Sequence, residues 1–140
     1  MVKNLDHIAI ATQSIDESLP VWQKILGSDD IKIETVESQK VKVAFIKIGD
    51  VKIELLEPLN KESVVQKYLD KKGPGLHHIA FKCEELEESV LSMREKGVEF
   101  IEETRDKGAN NTEIIFIHPG YTKGTLVEIN AMAGKNSNHK

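Results

Sequence analysis

Two histidines and two glutamates recur at matched places in this sequence. LDHIAIATQSIDES at 5–18 parallels LHHIAFKCEELEES at 76–89 with an offset of 71, so His7 falls on His78. Leu5/Leu76, Ile8/Ile79, Ala9/Ala80, Glu17/Glu88 and Ser18/Ser89 are identical in the same alignment. VAFIKIGDVKIELLEP at 43–58 parallels EIIFIHPGYTKGTLVEIN at 113–130 with an offset of 74, which sets Glu54 opposite Glu128. Two imidazoles and two carboxylates are a donor set for a divalent cation: the carboxylates cancel its charge, and the imidazoles suit Zn, Co, Ni, Fe or Mn. Four ligands on an octahedral ion leave two adjacent positions, enough to chelate a substrate through two oxygens. A buried carboxylate without a partner costs several kcal/mol, so two such acids on inner faces call for a cation. His7, Glu54, His78 and Glu128 are therefore the candidate metal ligands.

The elements that must carry these residues repeat as well. Residues 4–11 alternate as a strand. They are followed by Ser14-x-x-Glu17, a capping box, and by Ile15, Leu19, Trp22, Ile25 and Leu26 at helical spacing up to Gly27. Pro20 inside that helix predicts a kink or a later start. Strands are expected at 31–37, 41–48 and 51–57, the last two joined by Gly49-Asp50. The second copy predicts a strand at 76–82, a helix over 85–96, and strands near 98–103, 112–118 and 124–130. An amphipathic stretch at 61–72 with Val64, Val65, Tyr68 and Leu69 connects the copies and stops at Gly73-Pro74-Gly75. The expected organisation is one domain over 1–140: module one at about 4–58, a connecting helix at about 61–72, module two at about 75–131 and a polar tail at 133–140. Each module reads β-α-β-β-β.

Alternation sorts the strand faces. Ile8 and Ile10 share one face of the first strand and His7, Ala9 and Ala11 the other; Ile79 and Phe81 oppose His78 and Ala80. Glu54 opposes Ile53 and Leu55, and Glu128 opposes Val127 and Ile129. The bulky faces are expected to meet the helices, leaving His and Glu on the other side beside small alanines. His77 is expected to point away from His78 in a structural role, His118 to serve a turn before Pro119, and His139 to lie in a frayed tail. The acidic run 84–88 reads as a solvated helix N-terminus, and Cys83 shows no sign of a catalytic thiolate.

Composition narrows the partners. A chain of 140 residues buries roughly 68–70% of its unfolded surface, enough for a core. With 19 Lys+Arg against 23 Asp+Glu and no basic cluster, neither nucleic acid nor an anionic membrane is an expected partner. No apolar run approaches the ~18–20 residues of a membrane span, and MVKNLDHIAI does not read as a secretory signal. A lone cysteine suits a reducing cytoplasm.

The segments LDHIAIA, KIELLEPLN, GPGLHHIAFK and IFIHPGYTKGTLVEI, spanning Leu5 to Ile129, resemble the vicinal oxygen chelate superfamily. ELLEPLN, GPGLHHIAF and FIHP…KGTLVE look most like its methylmalonyl-CoA epimerase branch. The resemblance implies an α+β fold of two tandem β-α-β-β-β modules, forming an incomplete eight-stranded barrel-like sheet around a metal site. It implies interconversion of the 2R and 2S forms of methylmalonyl-CoA through an enolate, in a cytoplasmic homodimer acting on an acyl-CoA. Cobalt is the divalent ion it favours, with zinc, manganese or nickel as alternatives. Of the two proton-transferring glutamates in that family, one matches Glu128. The other falls near Lys42-Val43-Ala44, where this chain has no acid, leaving Glu37, Lys42 or a metal-held water as substitutes. The competing readings are a glyoxalase I-type isomerase of a glutathione hemithioacetal and a non-enzymatic small-molecule binder of the same fold.

Overall fold

Ser14 opens the first helix as its capping box predicts. In the computed structural model, which describes residues 1–133, its side chain accepts from the Glu17 N–H at 3.2 Å. The polar tail from Gly134, with His139, lies outside the described residues. Helix α1 (Ile15–Leu26) runs through Pro20 without a break and ends where Gly27, at φ 67°, returns its N–H to Gln23. Pro20 removes only the bond to the Asp16 carbonyl, and both residues are exposed, so water meets that carbonyl in place of the missing donor.

The chain divides into two units, Asp6–His78 on the one hand and Met1–Leu5 with the chain from Ile79 onward on the other. Strand β1 (Val2–Ala11) begins two residues before the predicted start and contributes its residues from Asp6 to the first unit. That unit continues through α1, β2 (Ile31–Val36), β3 (Val41–Ile48), β4 (Val51–Pro58), α2 (Val64–Lys72) and the first residues of β5 (Gly75–Cys83). Its strands lie in the order β2-β3-β4-β1, with β1 parallel to β4 and the other neighbours antiparallel. Val36 is the last residue of β2, because 37–39 form a 3-10 turn closed by Lys40 at φ 58°. Gly49, also left-handed at φ 58°, makes the two-residue hairpin between β3 and β4.

The second unit carries α3 (Leu86–Glu95), β6 (Phe100–Gly108), β7 (Thr112–Ile117) and β8 (Val127–Met132). Its order is β5-β8-β7-β6, with β5 parallel to β8 and the rest antiparallel, so each unit presents the same β-α-β-β-β path. Two strand boundaries differ most from expectation; the other strand ends move by two residues or fewer, and α2 begins three residues late. Strand β6 extends to Gly108 across a register shift between Ile101 and Asp106, which hydrophobic alternation does not reveal. Strand β8 begins at Val127 because the preceding residues are tied into a turn, with the Gly124 N–H bonded to the Pro119 carbonyl.

Both cores lie between sheet and helix. In the first, Ile15, Leu19 and Trp22 of α1 meet Ile10, Ala44, Ile53 and Leu55. In the second, Leu86, Val90 and Met93 of α3 meet Ile79, Phe81, Val127 and Ile129, with Cys83 buried and free among them. The bulky strand faces thus turn to the helices, which leaves the His- and Glu-bearing faces opposite. Among the described residues no helix is long and apolar enough to cross a membrane.

Candidate metal centre

Once Ile10, Ile53 and Leu55 are committed to α1, the pleat sends His7, Ala9 and Glu54 to the other face. Ala9 stands opposite Glu54 across the parallel β1–β4 pair, and Phe45 stands opposite Glu54 from β3. The second unit repeats the arrangement: Ala80 faces Glu128 from β5, and Phe116 faces it from β7. The small alanines give each carboxylate lateral room that a larger side chain would fill.

Within the first unit three ionisable side chains gather around the His7 ring. His7, Asp6, Glu54 and His78 are 4%, 7%, 6% and 7% exposed, so each charge there needs a nearby partner. The His7 Nδ1 lies 2.7 Å from Asp6 Oδ2 and 3.0 Å from Glu54 Oε2. Its Nε2 lies 3.3 Å from the Nε2 of His78. The other nitrogen of His78, Nδ1, is 2.9 Å from the Nδ1 of His77, whose ring packs edge-on against Tyr68 with centroids 4.7 Å apart. The Lys52 ammonium, carried on β4 opposite His7, reaches Asp6 Oδ1 at 3.1 Å. Burial pushes the Asp6 carboxyl up, but the hydrogen bond and charge of His7 and the ammonium of Lys52 outweigh it and hold it at about 2. Asp6 is thereby a fixed anion that orients the His7 ring.

This geometry suits a cation between the two imidazoles. With metal–nitrogen bonds of about 2.0–2.1 Å, two nitrogens on one ion stand roughly 3.0 Å apart at a right angle and roughly 3.4 Å apart at a tetrahedral angle. The observed 3.3 Å falls in that interval. Two imidazole nitrogens that close require a proton or a cation between them. The Asp6 carboxylate accepts from His7 Nδ1, and His77 touches His78 at Nδ1, so each ring is held through Nδ1, as partners of metal-binding histidines do.

His7 and His78 are brought together. Glu54 also reaches His7, though at Nδ1, on the far side of the ring from Nε2. Glu128 sits buried on β8 in the other unit, where the Asn130 Nδ2 donates to its Oε2 at 2.9 Å. Of the substitutes for the missing acid, Lys42 pairs with Thr35 and Glu57 on the α1 side of the sheet, the side on which Glu57 accepts from the Ile15 N–H at 2.8 Å. Glu37 opens the 3-10 turn and is exposed. His118 serves a turn, its Nδ1 accepting from the Gly120 N–H at 3.0 Å. His77, expected to point clear of His78, instead touches it. Asp6, Lys52 and Asn130 were not singled out from sequence. Asn130 was findable there, since it follows Glu128 by two residues and so shares its strand face.

Comparison with known proteins places the chain in a family. The model of the Glyoxalase/Bleomycin resistance protein/Dioxygenase superfamily matches residues 6–116. The "Uncharacterized protein YqjC" of Bacillus subtilis (strain 168) is 45% identical over 91% of this chain and 91% of its own length. The ethylmalonyl-CoA/methylmalonyl-CoA epimerase of Cereibacter sphaeroides is 30% identical over 92% of this chain and 98% of its own. Among solved structures, a variant of the Streptomyces coelicolor methylmalonyl-CoA epimerase in complex with 2-nitronate-propionyl-CoA superposes with a TM-score of 0.88 at 31% identity, covering 96% of this chain and 97% of that one. The repeated modules, the paired imidazoles and these likenesses converge, and the chain belongs to the glyoxalase-like vicinal oxygen chelate superfamily, with methylmalonyl-CoA epimerases among its relatives.

Proposed function

We propose that this protein interconverts the 2R and 2S epimers of methylmalonyl-CoA. The observation that carries the reading is the likeness, over 96% of the chain, to a methylmalonyl-CoA epimerase solved in complex with 2-nitronate-propionyl-CoA. His7, Glu54, His78 and Glu128 are read as the ligands of one divalent ion, with cobalt favoured and zinc, manganese or nickel as alternatives. The donor set supports this, as does the 3.3 Å approach of the two Nε2 atoms. Glu54 already touches the His7 ring, with its Oε2 3.0 Å from Nδ1. The buried, free Cys83 fits a cytoplasmic setting, and the resemblance implies a homodimer.

The chemistry follows from the substrate. The C2 hydrogen lies between a thioester carbonyl and a carboxylate, and a bound divalent ion supplies Lewis-acid stabilisation of negative charge on such oxygens. Glu128 takes the C2 proton, and the C–H electron pair moves into the thioester carbonyl as an enolate. Asp6 keeps the His7 ring oriented through Nδ1, and His77 does the same for His78. Asn130 holds the Glu128 carboxylate toward one conformation.

The direct test is an NMR assay of 2R/2S exchange, with and without a chelator and with added cobalt or zinc. Epimerisation that a chelator abolishes and metal restores is the expected result. Lactoylglutathione formation from methylglyoxal and glutathione, without epimerisation, would point to the glyoxalase reading. A metal-free, chelator-insensitive protein that turns over neither substrate would point to a binder.

The His77 contact gives a smaller, separate prediction. His77→Ala removes the partner of His78 Nδ1 and is expected to weaken cobalt or zinc affinity about 10–100-fold. Calorimetric titration checks this. His77→Phe, which keeps an aromatic ring against Tyr68 but loses the nitrogen, should show the same loss.

A further inference from the structure

Strand β2 is the outer strand of the first unit, and among the described residues no strand lies beyond it. Its register with β3 determines which backbone groups stand on that edge. The Lys47 N–H donates to the Asp30 carbonyl at 3.1 Å, which makes 30 and 47 a hydrogen-bonded pair one step before Ile31↔Ile46. Hydrogen-bonded and non-bonded pairs alternate along an antiparallel ladder. Lys32, Glu34 and Val36 therefore exchange their backbone bonds with Phe45, Val43 and Val41, whereas the N–H and C=O groups of Ile31, Ile33 and Thr35 turn outward.

Edge strands are commonly blunted by bulges or prolines. Strand β6, the outer strand of the second unit, carries such an irregularity between Ile101 and Asp106. Strand β2 does not: its register runs unbroken from Ile31↔Ile46 to Val36↔Val41, and IKIETV contains no proline. Its charges select one way of pairing. When two β2 strands lie antiparallel about a two-fold axis at Ile33, Ile33 meets its own copy, Ile31 meets Thr35, and Lys32 meets Glu34. Outward groups then meet outward groups throughout, for roughly six backbone hydrogen bonds at two per pair. Lys32 and Glu34 fall in the non-bonded pairs, where facing side chains come closest. A slip of two residues, the smallest that keeps the bonding phase, sets Lys32 against Lys32 or Glu34 against Glu34. Charge complementarity thus singles out one register, whatever else either side chain touches within its own chain. Ile33 shares the α1 side of the sheet with Ala44 and is 49% exposed, so the two copies of it cover one another.

We propose that this edge is where two copies of the chain join, through an antiparallel β2–β2 pair centred on Ile33. The two-fold axis consumes the edge of both copies, so the assembly closes at a dimer and does not grow further. The pairing is independent of the epimerase reading: a dimer without epimerase activity leaves it standing, and an active monomer does not.

Sedimentation velocity over a range of protein concentrations reads the dimer dissociation constant, and hydrogen exchange followed by NMR reads single amides. Wild type is expected to dimerise, with exchange of the Ile31, Ile33 and Thr35 amides slowing as the dimer forms. Lys32→Glu sets like charges together at both charged pairs and should raise the dissociation constant about tenfold. Adding Glu34→Lys to it exchanges the two signs and should bring the constant back to within about threefold of wild type. Ile33→Pro removes the central outward N–H of each copy without taking a donor from the β3 ladder, and should weaken the dimer about 10–100-fold. A monomer at every concentration would overturn the proposal. So would a dimer in which the Ile33 amide exchanges as fast as in the monomer, or a doubly exchanged variant that dimerises no better than Lys32→Glu.

Discussion

Glu128→Gln should lose epimerisation by about 10²–10⁴-fold, the usual contribution of one acid–base group, while its melting temperature stays at or above the wild-type value. The two halves of that expectation come from the same surroundings. Glu128 is buried on β8, opposite Ala80 and Phe116, and accepts a hydrogen bond from Asn130 Nδ2. A glutamine has nearly the same shape, and its amide oxygen can still accept from Asn130. The substitution also removes a charge whose burial opposes folding. What the amide cannot do is take a proton. Deuterium wash-in should therefore vanish for the epimer whose C2 hydrogen faces residue 128. Because Glu128 is also a proposed ligand, metal content has to be measured on the same sample, and activity per bound metal should still fall. Undiminished label exchange in this variant would remove Glu128 from proton transfer.

The duplicated pattern makes the fold and the two histidine positions legible in the sequence. His7 and His78 were identifiable because they occupy equivalent positions in two copies of one strand, and the alternation of β1 and β5 assigned their faces correctly. The helices were equally readable, since Ser14, Gly27 and Gly73 act through local backbone geometry that sequence specifies. What stayed hidden depends on register between strands. That Lys52 lies beside His7, and so reaches Asp6, follows from the parallel pairing of β1 and β4, which no local pattern fixes. His77 misled because alternation describes the backbone, whereas two adjacent imidazoles can turn their rings toward one another.

His7→Ala is expected to have the largest effect on stability and on metal together. The ring is the hub of the first unit's polar cluster, touching Asp6 at 2.7 Å, Glu54 at 3.0 Å and His78 at 3.3 Å. Removing one partner of a buried ionic pair typically costs about 3–5 kcal/mol, because the other partner keeps its desolvation penalty. Asp6 retains Lys52, which moderates the loss, so a fall of about 3 kcal/mol is expected, or roughly 10 °C in melting temperature. The same variant should lose the metal response. Wild-type protein stripped of metal and then given cobalt or zinc at 100 times its dissociation constant should gain about 2.7 kcal/mol by mass action alone. His7→Ala should show no such gain, since the Nε2–Nε2 pair that brackets the ion no longer exists. Lys52→Met separates the two effects: it disturbs the Asp6 anion without touching either imidazole, so it should lower stability while leaving the metal-induced gain largely in place. Thermal melts of the three proteins, with and without metal, decide the matter. A His7→Ala protein stabilised by cobalt or zinc as strongly as wild type would mean that the ion, if one is bound, sits elsewhere.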